Sequence, residues 1–366
     1  MRVGIVSKWF NRGQPIVGRY IRSAVDGLGH ESFVLARPRR EQGPRPGALE
    51  REGIWDQPRV TEASAFKPPA EEYAAWVEEN GIEVVLCDQN YQFAELAELR
   101  GRGIRVVGRF VWEHFTEAHL SGARDAYDVI YSMTRCEQER YRSWGLETPR
   151  VPWGIHPELL EVPVERADDG LTRFVFPGGF LGHRKPLEPV VEAFARTQDP
   201  DLRLVVKAQV ERDRLGRLSR RVRRDERIEL RLGDEEWGSH LRAIAACDVC
   251  VTPSRWEGLG LPLYEAMAFG QPVITNDDPP MNEVIEQERN GLLVPSHSDG
   301  TARSGIPAKR PDSEALTAAI ERLADRGLRE RLARGVEARR EELSWDRTVA
   351  ALGPLLADTM APAAQS

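Results

Sequence analysis

Pro253-Ser254-Arg255-Trp256-Glu257-Gly258-Leu259-Gly260-Leu261-Pro262-Leu263-Tyr264-Glu265-Ala266-Met267-Ala268-Phe269-Gly270 follows directly on the apolar run from Cys247 to Thr252. That run has the length of a buried parallel strand, and the residues from Pro262 onward are helix formers stopped by Gly270. The stretch is therefore a strand, a glycine-bearing turn and a helix. In such a turn the backbone amides of Gly258, Leu259 and Gly260 can point at an anion, and the positive end of the helix dipole adds to the attraction. Glu257 stands just before the turn and Glu265 about one helical turn inside the helix. A carboxylate beside a phosphate site is suited to accepting hydrogen bonds from hydroxyl groups. Phosphate and polyol together fit a nucleotide sugar.

The Glu257-x7-Glu265 spacing alone is common. It is embedded in a longer pattern: Pro-Ser before it, Glu-Ala-Met-Ala-x-Gly-x-Pro-Val-Ile through it, then Glu283-Val284-Ile285 and Asn290-Gly291-Leu292-Leu293-Val294. Together these residues resemble the retaining GT-B glycosyltransferases of the family-4 type, the glycosyltransferases group 1. The resemblance implies that Glu257 holds donor sugar hydroxyls and Glu265 the ribose. The alternative is a pair of solvated helix-end carboxylates favoured by the dipole, which does not require both glycines and both glutamates at once.

A chain of 366 residues exceeds what one core usually fills, so two domains are expected. The net charge of −7 argues against a general nucleic-acid binder. Met1-Arg2 runs straight into a short apolar strand, with no secretion signal and no run of membrane-spanning length, and the cytoplasm is the expected location. Cys87, Cys136, Cys247 and Cys250 lie in apolar segments and suit reduced core positions; Cys247-x-x-Cys250 lacks the second pair or His cluster that a zinc site would need. Arginine outnumbers lysine 46 to 5, a bias read as genomic composition.

In chain order, Val3–Ser7 is a first strand, Asn11–Gly18 a polar loop, Arg19–Leu28 a helix and Phe33–Ala36 a second strand. This opening is similar to that of the family, whose first loop comes close to the donor and implies a donor contact at Gly18; Gly13 and Gly18 are separated where the family has adjacent glycines. Residues 37–69 read as mostly irregular, with room for one short strand. Regular alternation then resumes: helix 71–79, strand 83–87, helix 93–100, strand 105–111, strand 128–132 and helix 137–144, the pattern of a parallel sheet with crossovers. Trp112-Glu113-His114 falls at the carboxyl end of a strand, where open parallel sheets place ligands. The resemblance makes His114 the residue facing the donor sugar; a hydrogen-bonded structural histidine is the alternative. Pro152-Trp153-Gly154-Ile155-His156 is similar to the family's Pro-Asn-Gly-Val-Asp junction, with His156 in place of the aspartate.

A second alternation starts at strand 172–176. The turn Pro177-Gly178-Gly179-Phe180-Leu181-Gly182-His183-Arg184-Lys185 leads to helix 187–196. Its glycines, Gly179 among them, allow close approach of backbone to ligand, and a lysine at a helix start suits a diphosphate. Lys185 matches the family's diphosphate lysine; Phe180 occupies the arginine position, and Arg184 can compensate. Strand 202–206 ends in Lys207, a phosphate contact or a strand-end charge. The nine arginines within 212–231 are interleaved with acids and read as a solvated helix face. Strand 228–232 leads to Gly233-Asp234, where the resemblance implies backbone contacts to the base. Residues 296–311 form a polar insertion, followed by helices 313–325, 328–342 and 345–356.

The fold class expected is α/β with GT-B architecture. It comprises an N-terminal Rossmann-like acceptor domain (1–165), a C-terminal Rossmann-like nucleotide-sugar domain (166–343) across a cleft from it, and a last helix (344–366) returning to the first domain. The function expected is retaining, front-face glycosyl transfer without metal or other cofactor, from a nucleotide-diphosphate sugar to a small-molecule, polysaccharide or lipid-linked acceptor. Alternatives are a GT-B-shaped nucleotide-sugar epimerase or phosphorylase, or a non-catalytic nucleotide-sugar binding protein.

Overall fold

The computed structural model describes residues 1–39, 49–216, 222 and 224–357. The chain forms two compact units: Met1–Trp153 together with the segment from Trp345 onward, and Gly154–Ser344. In the first, β1 (Arg2–Lys8), β2 (Glu31–Arg37), β3 (Val60–Glu62), β4 (Val84–Asp88), β5 (Arg105–Arg109) and β6 (Val129–Tyr131) lie in the order β3-β2-β1-β4-β5-β6. In the second, β7 (Thr172–Gly179), β8 (Leu202–Ala208), β9 (Ile228–Leu232), β10 (Val249–Val251), β11 (Val273–Asn276) and β12 (Gly291–Val294) lie in the order β12-β11-β10-β7-β8-β9. All these ladders are parallel. Near-continuous apolar strands such as Val249–Val251 are what a sheet covered on both faces requires. Each sheet reverses its strand order once, between β1 and β4 and between β7 and β10, and such switch points open a crevice at the carboxyl ends of the strands.

The C-terminal helix Trp345–Leu356 packs within the first unit. Trp345 meets Trp153 edge-on at 5.0 Å between ring centroids and Tyr20 at 6.1 Å, Thr348 Oγ1 donates to Pro152 O at 2.7 Å, and Arg105 Nε donates to Leu355 O at 3.0 Å. The first unit ends at Trp153, earlier than the boundary expected after 165. The reason is local: Ile155 N donates to Leu343 O at 2.7 Å, and Glu158 Oε1 accepts from Trp237 Nε1 at 2.8 Å, tying this segment to the second unit. His156 caps the short helix Pro157–Leu160 by accepting from Glu158 N through Nδ1 at 3.3 Å, work a carboxylate side chain commonly does.

Several readings are corrected. The first helix spans Gly13–Gly27, so Gly18 is helical and not in a loop. β5 ends at Arg109, and residues 110–111 precede the turn carrying His114. A helix at Trp237–Ala245 went unread; Glu236 caps it by accepting from Gly238 N and Ser239 N, both at 2.8 Å. Residues 296–311 are an antiparallel hairpin, β13 (Ser296–Thr301) and β14 (Pro307–Pro311), with Ile306 and Ala308 fully buried. The central part of the arginine-rich stretch and part of 37–69 lie outside the described residues. Among the described residues no helix is long and apolar enough to cross a membrane.

Candidate donor site in the second unit

Two turns meet at the β7/β10 switch point. The first, after β7, is folded by its glycines. Gly179 has φ +54°, and Leu181 N donates to Gly178 O at 3.1 Å. The turn delivers Lys185 to a buried position, its Nζ 3.4 Å from Pro177 O. The second turn, after β10, carries Ser254 to Gly260. Gly260 has φ +78° and immediately precedes the helix Leu261–Ala268; a Cβ there would lie 2.9 Å from Leu263 Cδ1. No side chain caps this helix; Pro262 in its first turn has no N–H and Leu263 N donates to Gly260 O at 2.9 Å, so an anion at this end would meet the turn that precedes the helix.

Glu257 is the centre of the site. It is buried, with Lys185 Nζ at 3.0 Å from Oε1 and Arg184 Nη1 at 3.1 Å from Oε2. Ser254 Oγ donates to Oε1 at 2.8 Å. Burial by itself raises its pKa, but Lys185 first and Arg184 second outweigh it, and the carboxyl is held below its ordinary range. Glu265 is also buried, one helix turn beyond Gly260. There desolvation dominates, offset in part by Lys185 and reinforced by Glu257, and the carboxyl is pushed up to about 7. Glu257, on Lys185, and Glu265, which feels the same lysine only through space, thus shift in opposite directions.

On the other side of β7, Gly179 and Gly233 flank one backbone segment. Gln209 N donates to Gly179 O at 2.7 Å, and Gly233 N donates to Ala208 O at 3.0 Å. The adjacent Lys207 is buried, its Nζ 2.6 Å from Glu235 Oε1. Of the residues singled out in the sequence, Lys185, Arg184, Glu257, Glu265 and Gly258–Gly260 come together at the switch point. Arg184 is on the Glu257 carboxylate. Ser254 was not singled out, although its Pro-Ser setting belongs to the same pattern.

His114 and Gly18 belong to the first unit. His114 is exposed, with Nε2 3.7 Å from Glu113 Oε1. Gly18 is buried in the first helix, and a Cβ there would lie 2.1 Å from Ser7 Oγ, so its lack of a side chain lets this helix pack against β1.

Residues 164–339 match the family model described as glycosyl transferases group 1. A D-inositol 3-phosphate glycosyltransferase of Jonesia denitrificans is 34% identical over 101 residues, covering 28% of this chain and 21% of that protein. Its counterpart in Saccharomonospora viridis is 33% identical over 117 residues, 32% of this chain and 24% of that protein. The chain thus spans less than a quarter of the length of these two relatives. Among solved structures, sucrose-phosphate synthase from Thermosynechococcus elongatus superposes with a TM-score of 0.72 at 20% identity, over 97% of this chain and 98% of that one. Anabaena Alr3699/HepE in complex with UDP and glucose gives 0.71 at 14% identity, over 97% and 99%. These likenesses show the fold, two parallel six-stranded sheets with helices, the GT-B class. Over residues 164–339, just under half of its length, the chain is similar to the glycosyl transferases group 1.

Proposed function

We propose that the protein is a retaining glycosyltransferase that moves a sugar from a nucleotide-diphosphate sugar to an acceptor hydroxyl, without a metal ion. The observation that carries this reading is the buried Glu257 carboxylate, held by Lys185 and Arg184 beside the uncapped start of the helix Leu261–Ala268. The diphosphate meets the backbone amides of Gly258–Gly260 and the ammonium of Lys185. Glu257 accepts hydrogen bonds from sugar hydroxyls, and Glu265 in its ionised form accepts them from the ribose. Gly179 and Gly233 leave the backbone accessible to the rest of the nucleotide. His114 takes the donor-sugar role that its resemblance implies, and Gly18 serves the packing of the first helix against β1.

In the reaction the bond from the anomeric carbon to the diphosphate oxygen loosens, and the electron pair leaves with the diphosphate. The fixed dipoles and Lys185 stabilise the charge that develops there, without reorganisation at the moment of reaction. The acceptor oxygen attacks from the same face and its proton passes to the departing phosphate oxygen, so the anomeric configuration is kept. The positive groups already present supply the charge a divalent cation would bring. The acceptor is a small molecule, a polysaccharide or a lipid-linked sugar. The four cysteines form no disulfide, which suits a reducing compartment such as the cytoplasm.

The test begins with a thermal-shift screen of nucleotide sugars, since a ligand of the native state raises Tm. With the donor so found, NMR of the product should show the donor's anomeric configuration, and chelators should leave the rate unchanged. Glu257→Gln should lower kcat/KM roughly 100-fold. Inversion at the anomeric carbon would overturn the retaining mechanism, and unchanged turnover by Glu257→Gln would overturn the assignment of this site. Isomerised donor without acceptor would favour the epimerase.

A further inference from the structure

The hairpin β13–β14 fills a connection that roughly 2–6 residues normally make in an α/β unit. It is not a solvated excursion. Ser296 Oγ donates to Asp278 Oδ2, and Lys309 Nζ lies 3.3 Å from Asp278 Oδ1, so the hairpin grips the turn that follows β11. It grips the two turns of the candidate donor site through one residue, Arg255. The Arg255 Nη2 lies 2.8 Å from Asp299 Oδ2 and also donates to the Asp299 carbonyl. Its Nη1 donates to His183 O at 3.3 Å. Its backbone N donates to Arg184 O at 2.8 Å, and its carbonyl accepts from Lys309 N at 3.0 Å. Arg255 therefore joins the turn after β7, the turn after β10 and both strands of the hairpin.

We infer that Asp299 and Arg255 are positioning residues for the donor site: the hairpin, acting through this ion pair, fixes the His183–Lys185 and Ser254–Glu257 turns against each other. The inference rests on the donor reading above. Turns hold a functional geometry only when surrounding contacts over-determine them, and ordering them during folding spares that entropy cost on binding. The Arg255 side chain is 15% exposed, so the pair is shielded from much of the solvent screening that weakens surface ion pairs. A planar guanidinium can reach a carboxylate and a carbonyl in different directions at once, whereas an ammonium is a single point. Arg255 itself stays off the carboxylate of Glu257, where Lys185, Arg184 and Ser254 are bonded.

The experiment is calorimetric binding of uridine diphosphate and guanosine diphosphate to the full chain, followed by steady-state kinetics with the sugar donor of whichever binds. Asp299→Ala should weaken diphosphate binding on the order of tenfold and raise the donor KM similarly, with Tm nearly unchanged because Asp299 is half-exposed. Arg255→Lys should lose as much, Asp299→Glu should recover most of the affinity, and Arg255→Lys combined with Asp299→Ala should be no worse than either alone. A merely structural role would instead lower Tm and the active fraction while leaving KM in place. Binding by both Asp299→Ala and Arg255→Lys equal to that of the unaltered protein would overturn the brace and leave the donor reading standing. An unaltered protein that binds neither diphosphate would remove the donor reading first, and the brace with it.

Discussion

Lys185 Nζ lies 3.0 Å from Glu257 Oε1, and both side chains are buried. The two groups come from different turns, and each is the other's main compensation for lost water. On the proposed donor reading a diphosphate competes with Glu257 for Lys185, and the ion pair holds the cation in place until then.

Removing one partner should therefore cost more stability than removing both. Lys185→Met takes the ammonium from a buried carboxylate that keeps Ser254 and the half-exposed Arg184, and should destabilise the second unit by about 3 kcal/mol. Adding Glu257→Met should restore most of that loss while glycosyl transfer stays abolished. Urea unfolding of the two variants checks this, and a double variant no more stable than Lys185→Met would contradict it.

Glu265 supplies a pH dependence. Its folded pKa, about 7, lies above the ordinary 4.5, so the folded state holds its proton more tightly than the unfolded chain does. The stability it contributes is complete below pH 4.5 and is lost as pH rises through about 7, a swing on the order of 3 kcal/mol. Glu265→Gln should accordingly be more stable than the unaltered protein at pH 8, with the difference shrinking toward pH 5. Nucleotide affinity should run the other way, strengthening as the carboxylate ionises through pH 7 and flattening in the variant. Thermal unfolding and calorimetry across pH 5–8 measure both.

Gly260→Ala combines a left-handed backbone, φ +78°, with a contact of 2.9 Å to Leu263 Cδ1. It should cost about 1–2 kcal/mol and weaken diphosphate binding, because the turn that aims the amides must shift. Gly29, with the same φ of +78° and open space around a Cβ, is the control: Gly29→Ala should carry the backbone cost alone and leave diphosphate binding intact.

Gly18→Ala should destabilise by about 1–3 kcal/mol through overpacking, since its Cβ would meet Ser7 Oγ at 2.1 Å. Ser7→Gly in the same chain should recover part of the loss. Donor affinity measured on the folded protein should not change. A fall in donor affinity with stability intact would make Gly18 a donor-binding residue.

Legibility differed from element to element for physical reasons. β9 and the last helix, Trp345–Leu356, follow the sequence pattern to the residue: β9 is stopped by Gly233, and the helix follows the charged run Arg339–Glu342 with Trp345, Leu352, Leu355 and Leu356 on its buried side. The first helix starts at Gly13 although Gly13 and Pro15 obscure its first turn; Gln14 there accepts from Lys8 Nζ at 2.5 Å and donates to Asp88 O at 3.3 Å, contacts that no local pattern shows. The helix Trp237–Ala245 was missed although Glu236 precedes Trp237, Leu241 and Ile244 at helical spacing, a signal present but weakened by Gly238 and Ser239. The hairpin reads as a polar insertion in the sequence because few of its residues, Ala302, Ile306 and Ala308 among them, are apolar and buried. Its strands are ordered by bonds to Asp278 and Arg255 that no local pattern announces.

By itself the sequence determined the strands of the two parallel sheets and most of the helices between them, and where glycine, proline and the two glutamates punctuate them, since those preferences act within a few residues. It also determined, through the run from Pro253 to Gly270, which family pattern the second unit carries. Only the tertiary structure decided what each charge answers to: Lys185 and Arg184 on Glu257, Arg255 on Asp299, and Glu265 left to desolvation. Coulomb attraction and burial depend on distance through space, and chain folding makes neighbours of residues that the sequence keeps far apart.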